Sequence, residues 1–166
     1  MKIKNEKGIT LIELLVVVSI AAILVIAVGF EFRGWMGKYK VESQIKEMYV
    51  DVMNTRARAM QRNRFHMIVF TANTYTIYED MNENEAVDAG EILPAYPKTL
   101  DNYTMVWTGA GDTITFNTRG LLIPPTRTGR ILTGVDTDYD YDCIVVLDTK
   151  TNMGKWNYVT NNCEIK

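Results

Sequence analysis

The chain has 166 residues, of which 47% are hydrophobic and 23% are charged, and its formal net charge is −2. This balance excludes the overall basic surplus that nucleic-acid-binding proteins usually carry. A single histidine, His66, and the lack of Gly-x-Ser-x-Gly, phosphate-loop or Cys-His motifs in the sequence argue against an enzyme. The sequence is long enough for one globular domain on a stalk.

The N-terminus combines a short charged leader, residues 1–8, with an apolar segment, residues 9–30. The leader contains three lysines and one glutamate, and the apolar segment contains one charged residue, Glu13. A helix over this segment measures about 33 Å, which is enough to cross a bilayer core. The positive leader predicts a cytoplasmic N-terminus and an exported remainder.

Glu13 is the informative residue of this segment. A carboxylate inside an apolar helix costs roughly 2.5–3.5 kcal/mol at the centre of a bilayer. If the chain is cut after Gly8, Ile9 gains a free amine, and the Ile9 amine of one chain can neutralise the Glu13 of another. The alternative is an ordinary signal anchor that tolerates one acidic residue.

The stretch Lys-Gly-Ile-Thr-Leu-Ile-Glu-Leu at residues 7–14 resembles the class III leader of type IV pilins and type II secretion pseudopilins. The resemblance implies that a prepilin peptidase cuts between Gly8 and Ile9 and methylates the new N-terminus of Ile9. It also implies that Glu13 is the assembly glutamate. Ile9 departs from the phenylalanine that usually follows the cut in this family.

The helical pattern continues beyond the apolar segment, as an amphipathic extension over residues 31–64. Its apolar residues follow helical spacing at Val41, Ile45, Met48 and Val52. We therefore predict one helix from about Thr10 to Arg62, whose second half packs one face on a sheet.

After the helix the hydrophobic period changes to two, which predicts a β-rich head over residues 65–166. Residues 67–71 and 74–78 predict a hairpin. Further strands are predicted at residues 103–107, 114–117, 131–135, 143–147 and 156–159. The predicted fold class is α+β, with a long N-terminal helix packed on one or two antiparallel sheets.

Three segments resemble the minor pseudopilin H group: residues 58–64, residues 114–120, and the strand at residues 144–147 with the turn after it. The resemblance implies a pilin-like fold and a structural subunit that assembles through its N-terminal helix into the type II secretion pseudopilus. The alternatives are a minor type IV pilus subunit involved in pilus assembly or DNA uptake, and a major filament subunit. Residues 154–157 depart from the group, and the chain continues beyond them to a second cysteine.

The same resemblance implies a location and a set of partners. The protein would enter the bacterial inner membrane as a single-pass protein with its head in the periplasm, and then join a filament. Its partners would be other pilins or pseudopilins through the N-terminal helix, the prepilin peptidase and an inner-membrane assembly platform.

The two cysteines, Cys143 and Cys163, both lie in the part predicted to be exported. An oxidising compartment favours a disulfide over free thiols or metal ligands. Closing a loop of about 21 residues contributes about 3 kcal/mol in the chain-entropy model. A pair of buried, reduced cysteines is the alternative. A C-terminal disulfide loop is also common in the family that the chain resembles.

An acidic segment, residues 80–91, has the ligand spacing of an EF-hand-like calcium loop. Oxygen-bearing side chains occupy loop positions 1, 3, 5, 9 and 12, and a backbone carbonyl serves position 7; these residues are Asp80, Asn82, Asn84, Asp88, Glu91 and, at position 7, Ala86. The spacing predicts weak Ca²⁺ binding, with a Kd of about 10⁻⁴–10⁻³ M. Position 6 is Glu85, where glycine is usual, and an acidic, solvated loop is the alternative. No other cofactor is expected.

A third set of candidate residues is basic and lies around a Pro-Pro loop: Arg119, Arg127 and Arg130. Together with Lys98 or Lys155 they predict a local basic patch, and the resemblance to minor pilins, some of which take part in DNA uptake, implies that such a patch binds DNA through phosphate contacts. A solvated loop without a binding role is the alternative.

Overall fold

The structure is a computed structural model that describes residues 8–100, 104–108, 111–123, 127–132 and 139–166, and the side chains of all of these except residues 27–34, 131 and 132. The chain divides into two compact units between Gly37 and Lys38. The predicted leader, residues 1–7, lies outside the described residues.

The main helix, α1, spans Leu11–Arg62 and has 52 residues. It ends where Asn63 adopts a left-handed backbone conformation, with φ at 53°. The amide of Arg64 then donates a hydrogen bond to the carbonyl of Ala59 at 3.3 Å, so a backbone donor satisfies one of the last carbonyls of the helix. The prediction of one helix from about Thr10 to Arg62 is confirmed.

The strands begin directly after the helix. In chain order they are β1 His66–Phe70, β2 Thr74–Glu79, β3 Lys98–Thr99, β4 Thr104–Thr108, β5 Thr113–Phe116, β6 Leu122–Ile123, β7 Arg127–Leu132, β8 Cys143–Val146, β9 Thr151–Asn157 and β10 Asn162–Ile165. In the described part of the chain they form two five-stranded antiparallel sheets: a first sheet with the order β3-β2-β1-β5-β6 and a second sheet with the order β10-β9-β8-β7-β4. The predicted α+β class is confirmed.

One face of the C-terminal half of α1 packs into the main core. The fully buried helix residues recur at helical spacing: Val41, Ile45, Met48, Val52 and Ala59. They join side chains from both sheets, including Ile68 and Phe116 of the first and Ile144 and Val146 of the second. The second half of the helix is therefore amphipathic, as predicted.

β8 is buried on both faces, because a second, smaller core lies on the opposite side of the second sheet. Cys143 and Val145 alternate with Ile144 and Val146 along the strand, and they join Trp156 and Cys163 instead of the main core. Cys143 and Cys163 form a disulfide with their Cα atoms 6.0 Å apart. The predicted disulfide is confirmed, and it connects β8 to β10 on either side of β9.

The C-terminal strands differ from the prediction. β9 begins at Thr151, which pairs with Val146, and not at residue 156. Lys150 and Leu147 close a tight turn through a 2.8 Å backbone hydrogen bond, and this shortens the loop predicted between the two strands. β3, β6 and β10 were not predicted: β3 and β6 have only two residues each, too few for a hydrophobic alternation, and β10 has one buried residue, Cys163, among exposed ones.

The predicted span, residues 9–30, extends into residues 27–30, whose side chains are not described. Among the residues that the structure describes, no helix has both the length and the apolar character needed to cross a membrane.

Candidate functional sites

The first candidate site lies at the beginning of α1. Thr10 Oγ1 accepts a hydrogen bond from the Glu13 amide at 3.3 Å, and the Thr10 carbonyl accepts one from the Leu14 amide at 3.2 Å. Thr10 is thus the N-cap residue, and Glu13 occupies the third helical position. This is the Thr-x-x-Glu spacing of a capping box, and the carboxylate also lies at the positive end of the helix dipole. Sequence reasoning missed the capping role of Thr10, although the Thr-x-x-Glu spacing at residues 10–13 indicates it.

The chain around the predicted cleavage point is open to solvent. Ile9 is 76% exposed, and apart from the adjoining residues no atom of the described chain lies within 4 Å of the position that a Cβ on Gly8 would take. Every large apolar side chain from Ile9 to Ile26 is between 49% and 81% exposed. The N-terminal half of α1 therefore presents a continuous apolar surface around the one carboxylate of Glu13, and such a surface is typical of a contact site.

A cluster of charges fixes the other end of the helix to β2. Glu79 is buried, and its carboxylate lies 2.5 Å from Nη1 of Arg62 and 3.4 Å from Nη1 of Arg64. His66 is fully buried beside it, with Nε2 4.0 Å from Glu79 Oε2. Burial lowers the pKa of His66, although its contacts with the Arg64 carbonyl and Glu79 act in the opposite direction. Arg62 and Arg64, near the end of the helix, are thus held by ion pairs with Glu79.

The acidic segment 80–91 folds into a compact turn between β2 and a short 3₁₀-helix, Ala89–Glu91. Asp80 accepts hydrogen bonds from the amide of Asn84 at 3.1 Å and the amide of Glu85 at 2.9 Å. The side-chain oxygen of Asn82 accepts the Asn84 amide at 3.1 Å, and that of Asn84 accepts the Ala86 amide at 2.9 Å. The side chains of the first three predicted ligand residues, Asp80, Asn82 and Asn84, therefore stabilise the turn by accepting backbone amides of the same loop.

The last two predicted ligand residues close the same loop. Asp88 Oδ2 accepts hydrogen bonds from the side-chain amides of Asn82 at 2.8 Å and Asn84 at 2.9 Å, and these donors lower the pKa of Asp88. Glu91 Oε1 accepts the backbone amides of Met81 at 2.8 Å and Asn82 at 3.1 Å. The structure thus brings the predicted ligand residues into one loop. Across the described residues, however, no three His, Cys, Asp or Glu side chains are grouped as a metal centre.

The predicted basic patch is not assembled in the described part of the chain. Arg127 is buried, and its guanidinium donates a 3.5 Å hydrogen bond to the Gly111 carbonyl. Arg130 stacks over the ring of Trp156 at 4.6 Å, whereas Arg119 is exposed in a turn after β5, in the other sheet. DNA binding stays a prediction, but Arg127 is buried and does not contribute a surface charge to it.

Lys98 does not extend a basic patch, because acidic residues of α1 hold it. Its ammonium lies 2.8 Å from Glu47 and 2.7 Å from Asp51, and Asp51 also accepts the hydroxyl of Tyr75 at 2.6 Å. Burial and the Asp51 hydrogen bond raise the pKa of Tyr75. Burial, as the largest cause, raises the pKa of Tyr96 to about 12. This network joins the helix to β2 and β3, and sequence reasoning missed it because its bonded members lie 24 to 51 residues apart.

Comparison with known proteins agrees with both halves of this description. Residues 3–29 match the family model of the prokaryotic N-terminal methylation motif. Residues 44–162, well over half of the chain, match the family model of the type II transport protein GspH. No curated protein matches the chain.

Two solved structures share the fold. Both are the type IV minor pilin FimU of Pseudomonas aeruginosa, in two crystal forms. The first is 17% identical with a TM-score of 0.56, and the match covers 73% of this chain and 92% of FimU. The second is 19% identical with a TM-score of 0.53, and covers 69% and 92%. At these identities the likeness shows a shared pilin-like fold.

The family models account for the methylation motif at the N-terminus and for most of the β-rich head. The members of these families are structural pilin and pseudopilin subunits that assemble with other subunits of the same kind. The chain belongs to the GspH family of type II transport proteins, as a minor pseudopilin of type II secretion with a pilin-like α+β fold.

Proposed function

We propose that this pseudopilin is cut between Gly8 and Ile9 by a prepilin peptidase, which also methylates Ile9, and that it then enters the pseudopilus through the N-terminal half of α1. In the filament, the Glu13 carboxylate of this subunit pairs with the N-terminal amine of a neighbouring subunit. The inner-membrane assembly platform is the proposed site of this step.

The observation that carries the proposal is the exposed apolar surface from Ile9 to Ile26 with one carboxylate near its start. A surface of this kind is stable in lipid or against the helices of other subunits, and in either setting the charge of Glu13 requires a counter-charge. The new N-terminal amine of a processed neighbouring chain supplies this counter-charge, and methylation leaves its positive charge intact.

The capping geometry supports the same arrangement. Thr10 caps the helix through the Glu13 amide and leaves the Glu13 side chain exposed. The charge of Glu13 is thus offset only in part by the helix end, and its oxygens stay accessible to a partner. Cleavage after Gly8 would leave Ile9 as the single residue before this cap.

The head is proposed to lie in the periplasm, on a protein held by one pass through the inner membrane. The disulfide between Cys143 and Cys163 supports this location, because disulfides persist in the oxidising periplasm and are rare in the cytosol.

The pairing is tested by Glu13→Gln, which keeps the size of the side chain and removes its charge. We expect the variant to be cut normally, as judged by its mass, and to be lost from cross-linked complexes with the other pseudopilins. Glu6→Gln is the matched control, because the same change then falls in the leader that is removed. Normal incorporation of Glu13→Gln would refute the pairing.

A deletion strain separates this assignment from a type IV pilus role. We expect export of secreted proteins to stop, while pilus-dependent motility and DNA uptake continue. Intact secretion together with lost pilus function would assign the chain to a pilus instead.

A further inference from the structure

Glu91 is a buried carboxylate with one oxygen that the protein does not satisfy. The residue is 5% exposed, and its Oε1 accepts two backbone amides from the beginning of the 80–91 loop. Its Oε2 is buried without a hydrogen-bond partner among the described residues. Leaving a buried charged oxygen unpartnered is costly, so a cation that reaches Oε2 would stabilise the loop.

The residues around Glu91 offer oxygen atoms of the kind that a hard cation prefers. The loop holds Asp80, which is 1% exposed, and it gathers Asn82, Asn84 and Asp88 through hydrogen bonds of 2.8–3.1 Å. Calcium accepts six to eight such ligands in flexible loops, whereas magnesium demands stricter octahedral geometry and retains its waters.

The backbone at position 6 of the loop has the conformation that a calcium loop needs. Glu85 adopts φ of 56°, in the left-handed region that glycine usually supplies at this position. The glutamate therefore does not prevent the sharp turn; it makes the turn more strained than glycine would.

We propose that the 80–91 loop binds one Ca²⁺ through the side chains of Asp80, Asn82, Asn84, Asp88 and Glu91 and the carbonyl of Ala86. This site goes beyond the assembly role and is independent of it. Three carboxylates against two positive charges favour the ion. The carboxylates are not grouped as a metal centre beforehand, so Asp88 must exchange its two amide donors for the ion as the loop tightens. This reorganisation agrees with a Kd of about 10⁻⁴–10⁻³ M.

Binding is measured on the full chain in detergent micelles, after treatment with a chelator, by calorimetric titration with CaCl₂ and by thermal unfolding. We expect a Kd in the stated range, a higher Tm with calcium, and a much smaller effect with MgCl₂. No calcium heat and no change in Tm well above that concentration range would overturn the proposal, as would equal effects of the two ions.

Three variants of the loop sharpen the test. Asp88→Asn removes a ligand charge at a half-buried position and should weaken calcium binding at least about tenfold. Glu91→Gln should weaken calcium binding similarly. It provides a second test of the site if circular dichroism shows that one of the two variants is poorly folded. Glu83→Gln is the matched control, because it removes the same charge from an exposed residue of this loop outside the ligand positions. An equal loss with Glu83→Gln would show diffuse attraction and overturn the site.

Glu85→Gly tests the backbone argument separately. Glycine adopts the left-handed conformation without strain, so this variant should bind calcium more tightly than the wild type despite losing a negative charge. Weaker binding would mean that the charge of Glu85, and not the turn, contributes to the site, and would contradict the proposed ligand set.

Discussion

The guanidinium of Arg56 on α1 donates a hydrogen bond from Nη2 to the carbonyl oxygen of Leu147 at 2.6 Å, across 91 positions of the sequence. Leu147 follows β8 in the second sheet. The same guanidinium lies 4.9 Å from the ring centroid of Phe116, in the first sheet. A single buried side chain thus joins the helix to both sheets, and burial lowers its pKa.

Replacing Arg56 should therefore destabilise the head. Arg56→Met keeps much of the aliphatic volume but removes the donor to the Leu147 carbonyl. Because hydrogen bonds to charged groups contribute about 1.5–3 kcal/mol, we expect the free energy of unfolding to fall by about that amount. Urea denaturation followed by tryptophan fluorescence measures the change. The exposed Arg58 offers a control: Arg58→Met should remain within about 0.5 kcal/mol of the wild type, and equal losses for the two variants would contradict the assignment.

Gly154 on β9 should not tolerate a side chain. A Cβ there would lie 2.2 Å from the carbonyl oxygen of Glu164 and 2.9 Å from the sulfur of Cys163, so β10 and the disulfide would have to move. We expect Gly154→Ala to cost about 2–3 kcal/mol of unfolding free energy and to speed amide exchange in β10. Gly90→Ala, where no described atom beyond the adjoining residues lies within 4 Å of the new Cβ, should be close to neutral. A stable Gly154→Ala protein with protected β10 amides would be incompatible with this packing.

His66 should make stability depend on pH. It is the one histidine of the chain, and burial lowers its pKa in the folded state below the ordinary value of 6.5. The unfolded state therefore binds the proton more readily, so the stabilising contribution is complete above about pH 6.5 and is lost as pH falls towards the lower folded pKa.

The measurement compares urea midpoints of the wild type and His66→Gln at about pH 7.5 and pH 5.5, above the range in which most carboxylates titrate. We expect the wild-type midpoint to fall over this interval. In His66→Gln, which cannot take up the proton, the fall should largely disappear. The nearby charges of Glu79, Arg62 and Arg58 are the same in both proteins. A parallel fall in the two proteins would assign the pH dependence to other groups.

Features with a local cause could be predicted from the sequence. The helix to Arg62 follows from apolar residues at helical spacing, because that spacing places them on one face whatever they pack against. The hairpin of β1 and β2 follows in the same way from alternation around a short turn. The N-terminal methylation motif, residues 3–29, could be identified because it is continuous in the sequence. The residues of the proposed calcium loop were also contiguous, and the structure added the unpartnered oxygen of Glu91.

Features that depend on distant contacts were decided by the tertiary structure. The pattern around Gly154 predicted a loop, yet this glycine lies inside β9, where it pairs with Cys143 of β8 and Ile165 of β10 and no room is left for a Cβ. Lys98 and Arg127 were grouped as a basic patch, but α1 holds the first and burial removes the second. The charge and hydropathy of each residue indicate whether its side chain prefers burial, solvent or a partner of opposite charge. Its actual partner depends on which segments the fold brings within a few ångströms, as it does for Arg56 and Leu147.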